Sequence, residues 1–243
     1  MSERTIALVT GANKGIGYEI ALGLGALGWG VGVGARDDRR RKEAVEQLRA
    51  AGVDAFGVPL DVTDDASVSA AAQLIEDRTG RLDVLVNNAA IADEMPQEPT
   101  QVDPATFRAV METNVLGVIR VTNAMMPLLR RSPSPRIVNM SSSVGSLTRQ
   151  SGTAAELTTG PVAVAYAPSK TLLNAVTLQY ARELSGTNIL INMGCPGYVA
   201  TDLNGFRGVR TPAQGAAIAI TLATLPDGGP TGTFVDDAGV VPW

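Results

Sequence analysis

The chain has 243 residues, with 20 lysine and arginine residues against 24 aspartate and glutamate residues, no histidine and one cysteine. The absence of histidine excludes Ser-His-Asp and Cys-His catalysis, and the single cysteine excludes an internal disulfide and a cysteine-ligated zinc or iron–sulfur centre, so we expect no metal site. A net charge of −4 with 18% charged residues leaves no basic stripe, so we expect no nucleic-acid partner.

Short runs rich in valine and isoleucine alternate with longer segments of helical period, which predicts βαβ units around a parallel sheet. Seven strands are predicted, at residues 5–10, 30–35, 55–60, 84–87, 136–141, 189–195 and near 233–235. Six helices are predicted, at residues 15–27, 39–51, 65–78, 104–130, 165–185 and 211–225. The strands are apolar without alternation, as expected when helices cover both faces. The fold class is therefore α/β, a single doubly wound Rossmann domain over residues 1–243 with a seven-stranded parallel sheet flanked by helices.

The first strand runs into the sequence TGANKGIG, residues 10–17, and a helix follows directly. Gly11, Gly15 and Gly17 permit a tight turn, close approach of a diphosphate to backbone N–H groups, and packing of the helix start on the sheet. The spacing differs from the G-x-G-x-x-G form, and a glycine-rich turn alone is often only a turn. Its position at the first strand–helix junction favours a dinucleotide site.

The second strand ends at Ala35 and Arg36, where a dinucleotide fold presents the group that contacts the adenosine ribose. An acid at this position would bind the 2′-hydroxyl of NAD, whereas Arg36, with Lys14 in the glycine turn, can pair with the 2′-phosphate of NADP. Alternatively, Arg36 begins a solvated charged run, and Asp37 turns inward to the ribose and favours NAD. We expect NADPH.

Tyr166 and Lys170 lie four residues apart on a predicted helix, so they share one face. An adjacent ammonium can favour a phenolate and so lower the tyrosine pKa. Y-x-x-x-K alone is a weak motif. Its significance rises because Ser142, at the end of the fifth strand, and Asn114, on the apolar stripe of the long helix, should reach the same sheet edge. Taken alone, Asn114 can also be explained as a buried amide bonded to backbone.

Several motifs occur together in chain order: TGANKGIG, LDV at 60–62, NNAA at 87–90, Asn114, a serine in SSxxG, YxxxK, and PGYVATD at 196–202. In this combination the sequence resembles the short-chain dehydrogenase/reductase family over essentially its whole length. It looks most like the NADPH-dependent carbonyl reductase branch, because of the lysine in the glycine turn, the AR at the end of the second strand and the C-terminal TGTFVDDAGVVPW. Ala90 departs from the usual NNAG.

The resemblance implies a catalytic tetrad of Asn114, Ser142, Tyr166 and Lys170. Tyr166 is expected to protonate the developing alkoxide, and Ser142 to hold the carbonyl oxygen. Lys170 is expected to lower the phenol pKa and bond the nicotinamide ribose, and Asn114 to hold a water that relays protons to Lys170. The choice of Ser142 among three consecutive serines follows from aligning S-x-x-G with Gly145.

The resemblance also assigns cofactor contacts. Asp61 and Val62 are expected at the adenine, Asn87 and Ala89 at the cofactor wall, and Val199 and Thr201 at the carboxamide. The full expected cofactor set is Gly11, Asn13, Lys14, Gly15, Ile16, Gly17, Arg36, Asp61, Val62, Asn87, Ala89, Tyr166, Lys170, Pro196, Gly197, Val199 and Thr201.

The implied function is hydride transfer from NADPH to the carbonyl of a ketone or aldehyde. Two alternatives are a catalytically silent dinucleotide-binding regulatory protein and a reductase of carrier-bound ketoacyl chains. Tyr198 and Phe206 are expected as apolar substrate contacts beside a short lid, residues 202–210, that leaves the pocket open. Cys195 is expected to be a buried hydrophobe without a chemical role.

Residues 146–162 are interpreted as an inserted loop, because Ser142 and Tyr166 lie farther apart than the resemblance leads us to expect. We expect this loop to pack beside the substrate entrance and to disfavour a tetramer, giving a monomer or a homodimer. We expect a cytoplasmic protein without a membrane partner, because no signal peptide is recognisable and the stretch 213–225 is too short to span a bilayer.

Overall fold

The computed structural model describes residues 4–93, 96–151 and 162–243. In these residues one eight-stranded sheet has the order β3-β2-β1-β4-β5-β6-β7-β8. The strands are β1 Ile6–Thr10, β2 Gly30–Ala35, β3 Asp54–Pro59, β4 Val84–Asn87, β5 Arg136–Met140, β6 Leu190–Gly194, β7 Phe234–Asp236 and β8 Gly239–Val240. The doubly wound α/β fold is confirmed, and the first seven strands are parallel.

The eighth strand corrects the predicted count of seven. It is a two-residue strand that pairs antiparallel with β7, in the register Val235 with Val240 and Asp236 with Gly239. Both of its residues are exposed, so no buried apolar run marks it in the sequence.

Helices cover both faces of the sheet. They are α1 Gly15–Ala26, α2 Asp38–Ala50, α3 Asp65–Thr79, α4 Pro104–Met111, α5 Gly117–Leu129, α6 Leu147–Gln150, α7 Tyr166–Glu183 and α8 Pro212–Ala223. Successive residues of β1 enter opposite cores: Val9 packs with α1, α2 and α8, whereas Leu8 packs with α3 and α5. This double coverage explains why the strands lack polar alternation. In the described residues, no helix is both long and apolar enough to cross a membrane.

The predicted helix at 104–130 is divided by a π-helical turn, Glu112–Leu116, between α4 and α5. The N–H of Gly117 bonds the carbonyl of Glu112, five residues back. The sequence gives no sign of this turn, because its apolar positions continue the stripe of the flanking helices. Such turns often occur at functional sites, and this one carries Asn114.

The inserted loop expected at 146–162 lies partly outside the described residues. Its first part forms the single helical turn α6. There the N–H of Thr148 donates to the carbonyl oxygen of Trp243 at 2.6 Å, and Arg149 lies 3.7 Å from Asp236. The start of the loop therefore contacts β7 and the C-terminal residue.

Candidate active site

A cleft of about 830 Å³ opens at the carboxyl ends of the parallel strands. The strand order reverses at β1, which pairs with both β2 and β4, and ligands of open α/β sheets bind at this kind of crevice. Most of the expected site residues line it: Gly11, Asn13, Lys14, Gly15, Ile16, Gly17, Arg36, Asp61, Val62, Ala89, Tyr166, Lys170, Pro196 and Thr201.

The glycine turn leaves space that a side chain would fill. Gly11 and Gly15 have φ values of 64° and 57°, in the left-handed region that favours glycine. A Cβ on Gly17 would lie 2.4 Å from the carbonyl oxygen of Gly11. Lys14, the residue that precedes α1, makes no side-chain capping bond, so the start of a 12-residue helix faces the cleft uncapped. Backbone N–H groups and the helix dipole suit a diphosphate here.

Two residues that the sequence analysis did not assign hold this turn in place. The hydroxyl of Thr10 accepts the N–H groups of Asn88 and Ala89, both at 2.9 Å, and the amide of Asn88 donates to the carbonyl of Thr10 at 2.9 Å. These bonds join the ends of β1 and β4. The signal was present in the motifs, as the threonine of TGANKGIG and the second asparagine of NNAA.

Asn87, expected at the cofactor wall, has its side chain in the interior instead. Its amide donates to Asn139 at 2.9 Å and to Thr122 at 3.1 Å. Because successive side chains of a strand face opposite sides, Asn87 points away from the cleft, and the neighbouring Asn88 lines it.

Cationic side chains surround the end of the cleft beside β2. Arg36 and Arg40 line it, and Arg40, in the first turn of α2, was not identified from the sequence. Lys14 is paired with Asp202, with 2.7 Å between Nζ and Oδ2. Asp37 caps α2, because its Oδ1 accepts the N–H of Arg40 at 2.8 Å. That backbone bond lowers the pKa of Asp37, so its carboxylate is engaged by the helix.

Asp61 is a charged acid beside these cations. Burial raises its pKa, but the N–H and hydroxyl of Thr63, at 3.0 and 2.7 Å, and the charge of Arg36 outweigh burial, so the net pKa is lowered. The acid therefore stays ionised at neutral pH.

The first turn of α7 brings Tyr166 and Lys170 to the opposite end of the cleft. The Ser142 side chain lies close enough to the Tyr166 hydroxyl to lower the tyrosine pKa against the larger effect of burial, and its Oγ accepts the N–H of Val144 at 3.4 Å. The hydroxyl of Ser141 donates to Asn174 at 2.6 Å, and the backbone N–H of Ser143 donates to the Cys195 sulfur at 3.2 Å. Of the three serines, Ser142 is the one that affects the Tyr166 pKa, whereas Ser141 is the one among the residues that line the cleft.

Burial dominates the protonation of the Tyr166 and Lys170 pair. It raises the pKa of Tyr166 to about 12 and lowers the pKa of Lys170 to about 8. The direction at Tyr166 is opposite to the expected lowering by lysine. The Lys170 ammonium donates to the carbonyl of Met140 at 2.9 Å and lies 5.7 Å from the centre of the tyrosine ring. Tyr166 is therefore a protonated phenol at neutral pH.

The amide of Asn114 is fully buried and bonded within the protein. Its Oδ1 accepts the N–H of Ile91 at 2.9 Å, and its Nδ2 donates to the carbonyl of Ile91 at 2.8 Å and to the hydroxyl of Ser169 at 3.0 Å. Both N–H groups of the side chain are used, so the amide has no donor left for the water that the family resemblance implies.

The segment after β6 departs from expectation in several places. Val199 is buried, and its side chain packs against Gly215, so it does not line the cleft. Gly197, with a φ of 75°, lies against Arg210. Tyr198 and Phe206, expected at the substrate, are more than half exposed and are not among the lining residues, whereas Leu203 is.

Comparisons with known proteins agree with this geometry. The model of the short chain dehydrogenase family matches residues 5–209. Carbonyl reductase [NADPH] 1 from Rattus norvegicus is 35% identical over 283 aligned positions, which cover 100% of this chain and 99% of the relative. NADPH-bound carbonyl reductase from chicken fatty liver superposes with a TM-score of 0.84 and 28% identity, covering 99% of this chain and 100% of that one. Actinorhodin polyketide ketoreductase with NADPH gives a TM-score of 0.83 and 29% identity, covering 98% and 97%.

Replacing Lys170 by Met should make the stability difference from the wild type depend on pH. Folded Lys170 has a pKa of about 8 against its ordinary 10.5. Between these values the unfolded chain binds one more proton, so wild-type stability rises with pH through this window. The free energy of unfolding of Lys170→Met relative to that of the wild type should therefore fall by about 2–3 kcal/mol between pH 7 and pH 10. Denaturant titrations at several pH values measure it, and a pH-independent difference would contradict the lowered lysine pKa.

Proposed function

Because this chain belongs to the short-chain dehydrogenase family, we propose that it is a carbonyl reductase that converts a ketone or an aldehyde to an alcohol. The observation that carries the proposal is that Tyr166 and Lys170 line the same cleft as the glycine turn, with the Ser142 side chain close enough to Tyr166 to lower its pKa against the larger effect of burial. The site therefore combines a protonated acid, Tyr166, with the uncapped N-terminus of α1.

NADPH is the cofactor, and the residues present fit it. The space at Gly11 and Gly17 and the uncapped start of α1 suit the diphosphate. Arg36 and Arg40 line the cleft where a 2′-phosphate would be bound, and arginine pairs with phosphate through two parallel hydrogen bonds. Asp37, the acid that would favour NAD, caps α2 instead.

Reduction adds a hydride to the carbonyl carbon and a proton to its oxygen. When bound, NADPH supplies the hydride. Ser142 holds the substrate oxygen with its hydroxyl, and Tyr166 donates its phenolic proton to that oxygen. A raised tyrosine pKa suits this direction, because the acid is fully protonated before the step.

Lys170 acts on the phenolate that the proton transfer leaves. Its ammonium, near the tyrosine ring, stabilises the negative charge that develops on the phenol oxygen in a buried setting, where charge interactions are strong. We assign Asn114 a positioning role, since its amide hydrogen bonds are made within the protein.

The main rival is a silent dinucleotide-binding protein. Such a protein has no use for a buried lysine beside a buried tyrosine, an arrangement that is costly to fold. A panel of carbonyl compounds tested with NADPH and NADH, following the absorbance of the reduced nicotinamide, separates the two. Including a ketoacyl chain free and bound to a carrier tests the second rival, which the similarity to a polyketide ketoreductase supports.

Replacing Tyr166 by Phe should abolish reduction and leave NADPH binding nearly unchanged, because only the proton donor is lost. A positioned acid contributes about 10²–10⁴-fold, so turnover should fall at least about 100-fold. Tyr180→Phe is the matched control on the same helix, where the hydroxyl bonds Asn123 at 2.7 Å. If Tyr166→Phe keeps more than about a tenth of the wild-type turnover, Tyr166 is not the proton donor.

The unmodified enzyme should prefer NADPH to NADH by about 10²–10³-fold in kcat/KM, because charge-assisted bonds contribute about 1.5–3 kcal/mol each before screening. Arg36→Asp should remove most of this preference by raising the KM for NADPH far more than that for NADH. Arg39→Asp is the control, since Arg39 is exposed and paired with Glu43. Equal kcat/KM values for the two cofactors would show that Arg36 points to solvent.

The protein should be a monomer or a homodimer. The rat relative needs 283 aligned positions to match this 243-residue chain, so it carries segments that this chain lacks, and the loop after Ser142 is intermediate in length. Ser146 is buried, and the N–H of Thr148 donates to the Trp243 carbonyl. The start of this loop therefore packs against the same chain. Light scattering at micromolar concentration measures the mass, and a stable tetramer contradicts the proposal.

A further inference from the structure

The catalytic helix begins without a cap of its own. α7 starts at Tyr166, and the preceding residue, Ala165, offers no side-chain acceptor. The first N–H groups of a helix have no partner inside it and need acceptors when they are buried. Ala165 is fully buried, so its N–H and that of Tyr166 require an acceptor from another segment.

Gln97 supplies that acceptor from a position 69 residues before Tyr166. Its Oε1 accepts the N–H of Ala165 at 3.1 Å and the N–H of Tyr166 at 3.2 Å. Its Nε2 donates to the carbonyl of Ala92, a residue that lines the cleft. Gln97 is only 4% exposed, so water does not compete for these bonds.

The backbone of Gln97 is fixed as firmly as its side chain. Its N–H donates to the carbonyl of Val162 at 2.7 Å, and its carbonyl accepts the N–H of Val164 at 3.2 Å. These bonds form an isolated parallel bridge between Gln97 and Ala163. The glutamine therefore joins the cleft wall after β4 to the segment that leads into α7.

A closed ring of hydrogen bonds surrounds the main chain of Tyr166. On one side Gln97 holds its N–H. On the other side its carbonyl accepts the hydroxyl of Ser169 at 2.6 Å, and Ser169 in turn accepts from Asn114. Asn114 holds Ile91 through both backbone groups, and the next residue, Ala92, bonds Gln97 and completes the ring.

We propose that Gln97 is a positioning residue that fixes the Tyr166 hydroxyl relative to the wall of the cleft. This inference rests on the proposed function, because it matters only if Tyr166 is the proton donor. The ring ties the tyrosine backbone to the Ile91–Ala92 wall from both sides, so loss of one link lets the helix start shift. A displacement of about 1 Å at a reacting group lowers turnover roughly 100-fold.

The test replaces Gln97 by Leu, which keeps a side chain of similar size and removes both the acceptor and the donor. We expect kcat to fall about 10–100-fold, with the dissociation constant for NADPH nearly unchanged, because the glycine turn is at the opposite end of the cleft. Turnover is expressed per NADPH-binding site, titrated by nicotinamide fluorescence, so that a fraction of unfolded protein does not lower it.

Two further variants separate positioning from folding. Gln97→Glu keeps the acceptor for the two helix N–H groups and loses only the donor to the Ala92 carbonyl, so its kcat should lie between those of Gln97→Leu and the wild type. Gln101→Leu makes the same change at an exposed glutamine that bonds Glu98 and should leave kcat unchanged. A merely structural role would reduce the number of binding sites in Gln97→Leu without changing kcat per site.

The outcomes are distinguishable. If Gln97→Leu turns over at the wild-type rate per site, or if Gln97→Glu is as impaired as Gln97→Leu, the inference is overturned. If Tyr166→Phe keeps its turnover, the proposed function fails, whatever the Gln97 variants show.

Discussion

The hydroxyl of Thr10 connects the two halves of the cleft edge. At the point where β1 and β4 end, the chain leaves the sheet in different directions, and the N–H groups of Asn88 and Ala89 have no strand neighbour. Thr10 accepts both of them, and Asn88 returns a bond to the carbonyl of Thr10. Buried backbone groups must be paired, so these bonds let the crevice stay open without leaving polar groups unsatisfied. The close approach of the Gly11 carbonyl and of the Asn88 amide to Gly17 then explains why this position cannot carry a side chain.

At the other end of the cleft, the dominant factor is the burial of two ionisable side chains, Tyr166 and Lys170. Burial disfavours the charged forms of both Tyr166 and Lys170, which raises one pKa and lowers the other. The bond from Lys170 to the Met140 carbonyl offsets part of that penalty. Stability favours a neutral pair, whereas the proposed proton transfer needs a charged lysine beside a developing phenolate. The hydrogen bonds at the start of α7 hold the helix that carries both side chains, with the Lys170 ammonium 5.7 Å from the centre of the Tyr166 ring.

The features that could be predicted from sequence are those with local causes. Apolar runs set the parallel strands, and the glycine positions set the first turn, so the fold and the diphosphate end were predictable. Side-chain direction was not. Because β4 is apolar on both faces, it has no alternation from which to decide whether Asn87 or Asn88 faces the cleft. Gln97 was missed because its partners are backbone groups of Ala165 and Tyr166, far along the chain, and backbone partners leave no residue pattern.

Asn114 lies where the sequence predicts, and its side chain makes contacts that the sequence could not show. The sequence placed it on the buried stripe of a long helix, and the π-helical turn brings it to Ile91 and Ser169. Since both N–H groups of its amide are already bonded, the side chain cannot donate to a water on the way to Lys170. Its three bonds instead couple the cleft wall to the carbonyl side of Tyr166, while Gln97 couples the same wall to the N–H side. The tyrosine is thus held through its main chain by two amides, and its hydroxyl stays free for Ser142 and the substrate.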